Sequence, residues 1–164
     1  MKARFKSQNV NKTLKNDMLK WVKDLLPLNR SITGQGIKDS YAYFKKINPE
    51  FKLLKFKSGK KVFDWIVPNE WVINSAYIKN IKNNKKFADL RSNNLHLVGY
   101  SIKKNIVLSK KEILKKIYTL KKQPSSIPYV TSYYKKDWGF CMSENQKKKL
   151  PNGFYKVFID SKFK

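Results

Sequence analysis

This chain has little of what metal or thiol chemistry requires. It contains one histidine, His96, and one cysteine, Cys141, and its 11 acidic residues face 37 basic ones. A single cysteine excludes an internal disulfide and a thiolate zinc cluster. One histidine among scattered carboxylates is a poor start for a catalytic zinc, which commonly takes three protein ligands rich in His. No apolar run approaches the roughly 20 residues that span a bilayer. The first fifteen residues are basic, but no apolar stretch follows them, so they do not form a secretory signal. A cytoplasmic location is the resulting expectation.

What is present is apolar mass and positive charge. Hydrophobic residues make up 41% and aromatics 14%, enough to build a core, so the chain is not a disordered tail despite a net charge of +26. Its 164 residues suit one domain, or one domain with a small insertion. Two readings of the charge compete: a polyanion partner such as nucleic acid or an anionic surface, or lysine spread over most exposed positions. The composition favours the second. Only Arg4, Arg30 and Arg91 are arginines, and the lysines run along the whole chain without forming a block. Lysine is a point charge that lacks the bidentate fork of arginine.

The periodicity predicts a helix over residues 13–26, where Leu14, Met18, Trp21, Val22 and Leu25 share one face before Pro27 stops it. A second helix is predicted over 37–47 and ends at Asn48-Pro49. The period then shortens. Leu54 and Phe56, then Phe63, Trp65 and Val67, then Trp71, Ile73 and Tyr77 alternate with other residues as in strands, and 87–90 and 95–100 follow as two shorter ones. Ser109 and Glu112 have the spacing of a capping box, with Ile113, Ile117 and Leu120 on one face of the helix it opens. Residues 129–134 are strand-like, Ser143 and Gln146 repeat the capping spacing, and Tyr155, Val157 and Ile159 form a last strand.

Candidate chemistry is sparse. A Cys-His pair needs Cys141 beside His96, but Cys141 lies between Phe140 and Met142 as a buried thiol would. His96 is expected to point away from Leu95 and Leu97, as a surface or hydrogen-bonded residue. Asp64 is the best-placed carboxylate, yet it reads as an ordinary outward side chain. The loop 29–36, with Arg30, Ser31, Thr33, Gly34 and Gly36, precedes a helix and so could favour an anion, although Lys38 falls outside phosphate-loop spacing. Arg30 and Thr33 are therefore the candidate substrate-proximal residues. The aromatic stretch 127–141 suits core packing better than base stacking.

Several segments in order carry a resemblance: Leu26-Pro27-Leu28-Asn29-Arg30-Ser31-Ile32-Thr33-Gly34, then Val62-Phe63-Asp64-Trp65 with Val67-Pro68 and Glu70-Trp71, then Asn93-Asn94-Leu95-His96, then 127–134 and 138–141. Over residues 19–160 the chain resembles a bacterial aminopeptidase-like family often encoded among surface-polysaccharide biosynthesis genes. The resemblance implies a zinc-exopeptidase α/β fold interrupted early by a β-rich domain of unknown function. It implies a substrate that is a peptide or an amide-bearing small molecule, and a C-terminal winged-helix-like part in full-length members. The zinc that activates water, and its His, Asp and Glu ligands, are implied to lie beyond the segment present here.

The combined expectation is an α+β N-terminal fragment without cofactor or catalytic residues of its own. Residues 1–58 belong to the peptidase-like domain, 59–150 to the inserted β-rich domain, and 151–164 return to the truncated peptidase-like domain. On that division 60–150 resist proteolysis, while 1–58 and 154–164 are labile. The rival is a non-catalytic basic module for nucleic acid or anionic polysaccharide. The lysine excess itself predicts weak, sequence-blind polyanion binding. Raising salt from about 50 to 200 mM should cost at least ~10³-fold in DNA affinity. Fluorescence anisotropy checks this; a sequence-specific complex that survives several hundred mM salt (roughly the strong-screening range) contradicts it.

Overall fold

The computed structural model describes residues 2–30, 33–133 and 135–164, with side chains described from Lys12 onward. The fold is α+β. Helices α1 (Lys2–Leu25) and α2 (Gln35–Ile47) lead into a short hairpin of β1 (Lys61–Val62) and β2 (Trp65–Ile66). There follow β3 (Trp71–Asn80), β4 (Lys86–Phe87), a 3-10 turn at Asn94–His96, and β5 (Lys104–Ser109). Helix α3 (Lys110–Leu114), β6 (Ile117–Tyr118), β7 (Phe140–Cys141), α4 (Glu144–Lys148) and β8 (Phe154–Phe163) complete the chain.

One four-stranded antiparallel sheet, ordered β4-β3-β8-β5, organises the molecule. Its centre is the pair β3–β8, so the last strand of the chain holds the sheet together. Residues 151–164 were expected to return to the peptidase-like domain. The strand within them, β8, pairs with β3 along nearly its whole length and with β5 on the other edge. Tyr155, Val157 and Ile159 point into the core, as the alternation predicts, and all are fully buried.

Strand β3 shows why simple alternation misassigned its faces. The register slips between Ile73 and Ser75, leaving Asn74 as an extra residue, whose side-chain amide donates to Asp160 at 2.9 Å. A bulge inverts the phase of everything beyond it. Trp71 is therefore buried before the bulge, and Ala76 and Ile78 after it. Tyr77, predicted to share a face with Trp71, turns to the opposite side and stacks on Phe158 at 5.3 Å.

Other predicted elements shift for identifiable reasons. Residues 51–57 form no strand: Leu54 is 74% exposed and finds no ladder partner. Phe63 and Asp64 are the turn between β1 and β2, not part of a strand, and the Phe63 ring is 93% exposed. Helix α3 stops after Leu114. Ile117 opens β6, which runs parallel to β7, so it does not continue the helical face. Of 87–90 only Phe87 pairs in a strand, and 95–100 contains the end of the 3-10 turn followed by isolated bridges from Leu97 and Gly99. In 129–134 only the bridge at Thr131 forms, and Tyr134 lies outside the described residues. Strand β5 was missed because its edge position leaves Asn105, Ile106 and Val107 all exposed, which hides the alternation. Both capping boxes form, with Ser109 and Ser143 each accepting from the backbone three residues on.

Among the described residues no helix is long and apolar enough to cross a membrane. The core gathers Ile78, Ile113, Phe140, Met142, Leu150 and the inward face of β8. Amide exchange should accordingly be slowest in β3 and β8 and fastest in 51–66. Ile159→Ala should cost about 3 kcal/mol, as for truncation of a buried aliphatic side chain. Denaturant melts of this variant check the ledger, and rapid exchange throughout β8 would show that the sheet is not organised around it.

Candidate functional site

The loop 29–36 is held by glycine geometry and one hydroxyl. A Cβ on Gly36 would lie 2.1 Å from the Asn29 carbonyl oxygen, and a Cβ on Gly34, at φ +100°, 2.8 Å from the Trp71 carbonyl oxygen. The Asn29 carbonyl thus crowds the first turn of α2, where a phosphate loop would hold its anion. Thr33 Oγ1 accepts from the Trp71 backbone N–H at 3.2 Å and shares a hydrogen bond with the Tyr100 hydroxyl at 3.0 Å. The Trp71 and Tyr100 rings stack at 5.7 Å, and the Trp71 indole N–H donates to the Ser101 carbonyl. Burial raises the Tyr100 phenol above its ordinary value, although the bond to Thr33 opposes this. Thr33 therefore clamps the loop to the sheet and does not line the neighbouring cleft.

That cleft, of about 680 Å³, lies between the segment 26–30 with Ile37 and the segment 90–99 with Tyr129. Asn94 ties its two sides together: its side-chain amide donates to the carbonyls of Leu26 and Leu28, both at 3.0 Å. Arg30 is exposed at the cleft, and Arg91 lines the same cleft. Ser31 and Ile32 lie outside the described residues. Sequence reasoning missed Arg91 because nothing local connects it to Arg30; the rarity of arginine in a lysine-rich chain was the available signal. Neither guanidinium has an acidic partner among the described residues.

The remaining candidates do not converge. His96 is buried, and its Nδ1 lies 2.8 Å from the Cys141 carbonyl oxygen, so the ring is bound to the Cys141 backbone. This satisfies the expectation of a hydrogen-bonded residue and corrects that of a surface one. Burial pushes the Cys141 thiol up to about 12, against a weaker opposing contact from the Val130 backbone. Asp64 is exposed in its turn. Trp138 and Phe140 are buried, and Tyr133 packs edge-on against Tyr100, whereas Tyr129 is 66% exposed at the cleft. Among the described residues no three His, Cys, Asp or Glu side chains come together, so the donor set does not fit a catalytic zinc.

The molecule is thus a four-stranded sheet preceded by two helices, with an arginine-bearing cleft between segments 26–30 and 90–99. Residues 70–162 match the family described as Domain of unknown function (DUF2172), and the chain belongs to that family. A candidate polysaccharide biosynthesis protein with an aminopeptidase-like domain, from Clostridium acetobutylicum, is 36% identical over 160 residues, which are 94% of this chain and 36% of that protein. A crystal structure of a candidate peptidase from the same organism superposes with a TM-score of 0.86 at 36% identity, over 96% of this chain and 38% of the other. The expected kinship with aminopeptidase-like bacterial proteins is thereby shown. The chain spans little more than a third of the length of these relatives.

The raised thiol pKa carries a prediction. At pH 8 only about one Cys141 side chain in 10⁴ is thiolate, so native alkylation should run ~10³-fold slower than for a free cysteine. Iodoacetamide labelling followed by mass spectrometry checks this. Labelling at the free-thiol rate without unfolding would contradict the buried placement.

Proposed function

We propose that this chain is the substrate-flanking, non-catalytic part of an aminopeptidase-like hydrolase of the zinc type, inactive alone. On this reading the metal and the hydrolytic step belong to the part of the protein that corresponds to the rest of the relatives. The substrate is a peptide or an amide-bearing small molecule, with Arg30 nearest to it and Thr33 positioning the Arg30 loop. The inserted β-rich domain begins near residue 59. Its far boundary is better drawn after β8 than at 150, since β8 is central to its sheet. Residence in the cytoplasm and a place in polysaccharide biosynthesis belong to the same reading; the printed name of the Clostridium relative supports the latter.

The observation that carries this proposal is the bare apolar face of the helices. Leu14, Met18 and Val22 lie on one stripe of α1 and are 50%, 54% and 58% exposed. Leu19, Leu26, Ile47, Phe51, Leu54 and Phe56 add further exposed apolar surface. Soluble domains rarely leave contiguous apolar patches of this kind uncovered, and in an α/β protein such helical faces cover a sheet. The sheet of this chain does not cover them, so a peptidase-like domain is the fitting occupant.

A chimera provides the test. This chain replaces the matching third of the Clostridium relative, and hydrolysis of aminoacyl-nitroanilides is measured. The chimera should cleave them, the isolated chain should not, and Met18→Glu with Val22→Glu in the chimera should lower activity at least ~10-fold if the seam is worth 1.4 kcal/mol or more. A folded chimera indifferent to both substitutions, or hydrolysis by the isolated chain, would sink the reading. High-affinity, salt-resistant polyanion binding would move the assignment to the basic-module alternative.

A further inference from the structure

We propose that the cleft between residues 26–30 and 90–99 binds the carboxylate of a small, partly apolar organic acid, with Arg30 and Arg91 as its recognition pair. The first support is compositional. All but three of the 37 basic residues are lysines, yet among the described residues the cleft carries two arginines, no lysine and no acidic residue. A surface that had merely accumulated positive charge would present lysine here as it does elsewhere. Asp89 accepts from the Arg91 backbone N–H and pairs with Lys86, so among the described residues no carboxylate pairs with either guanidinium. Arginine at both margins suits a planar oxyanion because its fork donates two parallel hydrogen bonds.

The walls narrow the ligand further. Leu26, Ile37 and Leu97 make one part apolar, and the exposed ring of Tyr129 adds a flat amphipathic surface. The volume is of small-ligand size, within the roughly 300–1,000 Å³ typical of such sites. Phosphate is disfavoured by the local backbone. The glycine-rich turn that could have wrapped a phosphate is closed by the Asn29 carbonyl against Gly36. An acid with an apolar or sugar body fits both the charge and the wall. Its source is either a peptide-like carboxylate or an acidic sugar.

This inference rests on the reading above for the ligand's role as substrate, but the binding is a property of this chain and is measured on it alone. Failure here removes the ligand of the cleft. Failure of the chimera removes the peptidase reading.

The probes are hippurate, its uncharged twin hippuramide, glucuronate and inorganic phosphate, titrated into isotopically labelled protein at about 0.15 M salt, where diffuse attraction is screened. Hippurate or glucuronate should give saturable shifts confined to Arg30, Tyr129 and 90–99, and which of them binds identifies the source. If hippurate is the ligand, hippuramide should bind at least ~10-fold more weakly; for either acid, Arg91→Lys and Arg30→Lys should each weaken binding ~5-fold or more although charge is kept, the size expected for a lost bidentate contact. The proposal is overturned if neither acid saturates, if hippurate and hippuramide bind alike, if phosphate moves the same resonances equally well, or if both lysine variants bind like the parent chain.

Discussion

The junction of Thr33, Trp71 and Tyr100 is the constraint on which the rest of the arrangement depends. One hydroxyl meets the backbone of the first residue of β3 and the phenol of Tyr100. Trp71 and Tyr100 stack face to face, and the Ser101 carbonyl accepts from both the Trp71 indole and the Ser161 hydroxyl. Four chain segments far apart in sequence thus meet at one point: the 29–36 loop, the start of β3, the 95–101 segment and the end of β8. Tyr100 holds a left-handed φ of 63°, unusual for a non-glycine residue. Its ring stacks on Trp71 and meets Tyr133 and Phe163, and its hydroxyl bonds Thr33. Together with the Asn94 amide, which holds the carbonyls of Leu26 and Leu28, this clamp sets where Arg30 lies relative to Arg91.

This arrangement sets the geometry on which the proposed site rests. The sheet provides rigidity, the bulge at Asn74 shifts the phase of β3 so that Trp71 at the junction and Ile78 beyond it are buried in the same core, and the loop and 90–99 segments form the cleft walls. The lysines remain around it as dispersed charge. Dispersed positive charge of this kind attracts anions in general and does not select among them. Selection falls to the two arginines.

Periodicity and local motifs revealed the parts of the fold that depend on neighbours in sequence. The capping boxes at Ser109 and Ser143 formed because both partners lie within one helical turn. Strand β8 alternated cleanly, since one of its faces is fully buried. Leu54 and Phe56 alternate just as well but form no strand, because alternation cannot supply a pairing partner. The phase of β3 depended on an extra residue opposite β8, which no reading of β3 alone contains. The cleft was the least visible feature. Arg30 drew notice from its glycine-rich loop, whereas Arg91 has an unremarkable local context and joins Arg30 only through the tertiary fold. Thr33 drew notice from the same loop, but its bonds to Trp71 and Tyr100 join segments far apart in sequence and so were not legible there.

The most direct test of the account is hydrogen exchange on Thr33→Val, which removes the hydroxyl while keeping the shape of the side chain. If the junction fixes the helical part on the sheet, amides in 33–47 should lose protection, while β3 beyond the bulge and β8 keep theirs. If protection of α2 is unchanged, the clamp is incidental, and the placement of Arg30 opposite Arg91 has some other cause.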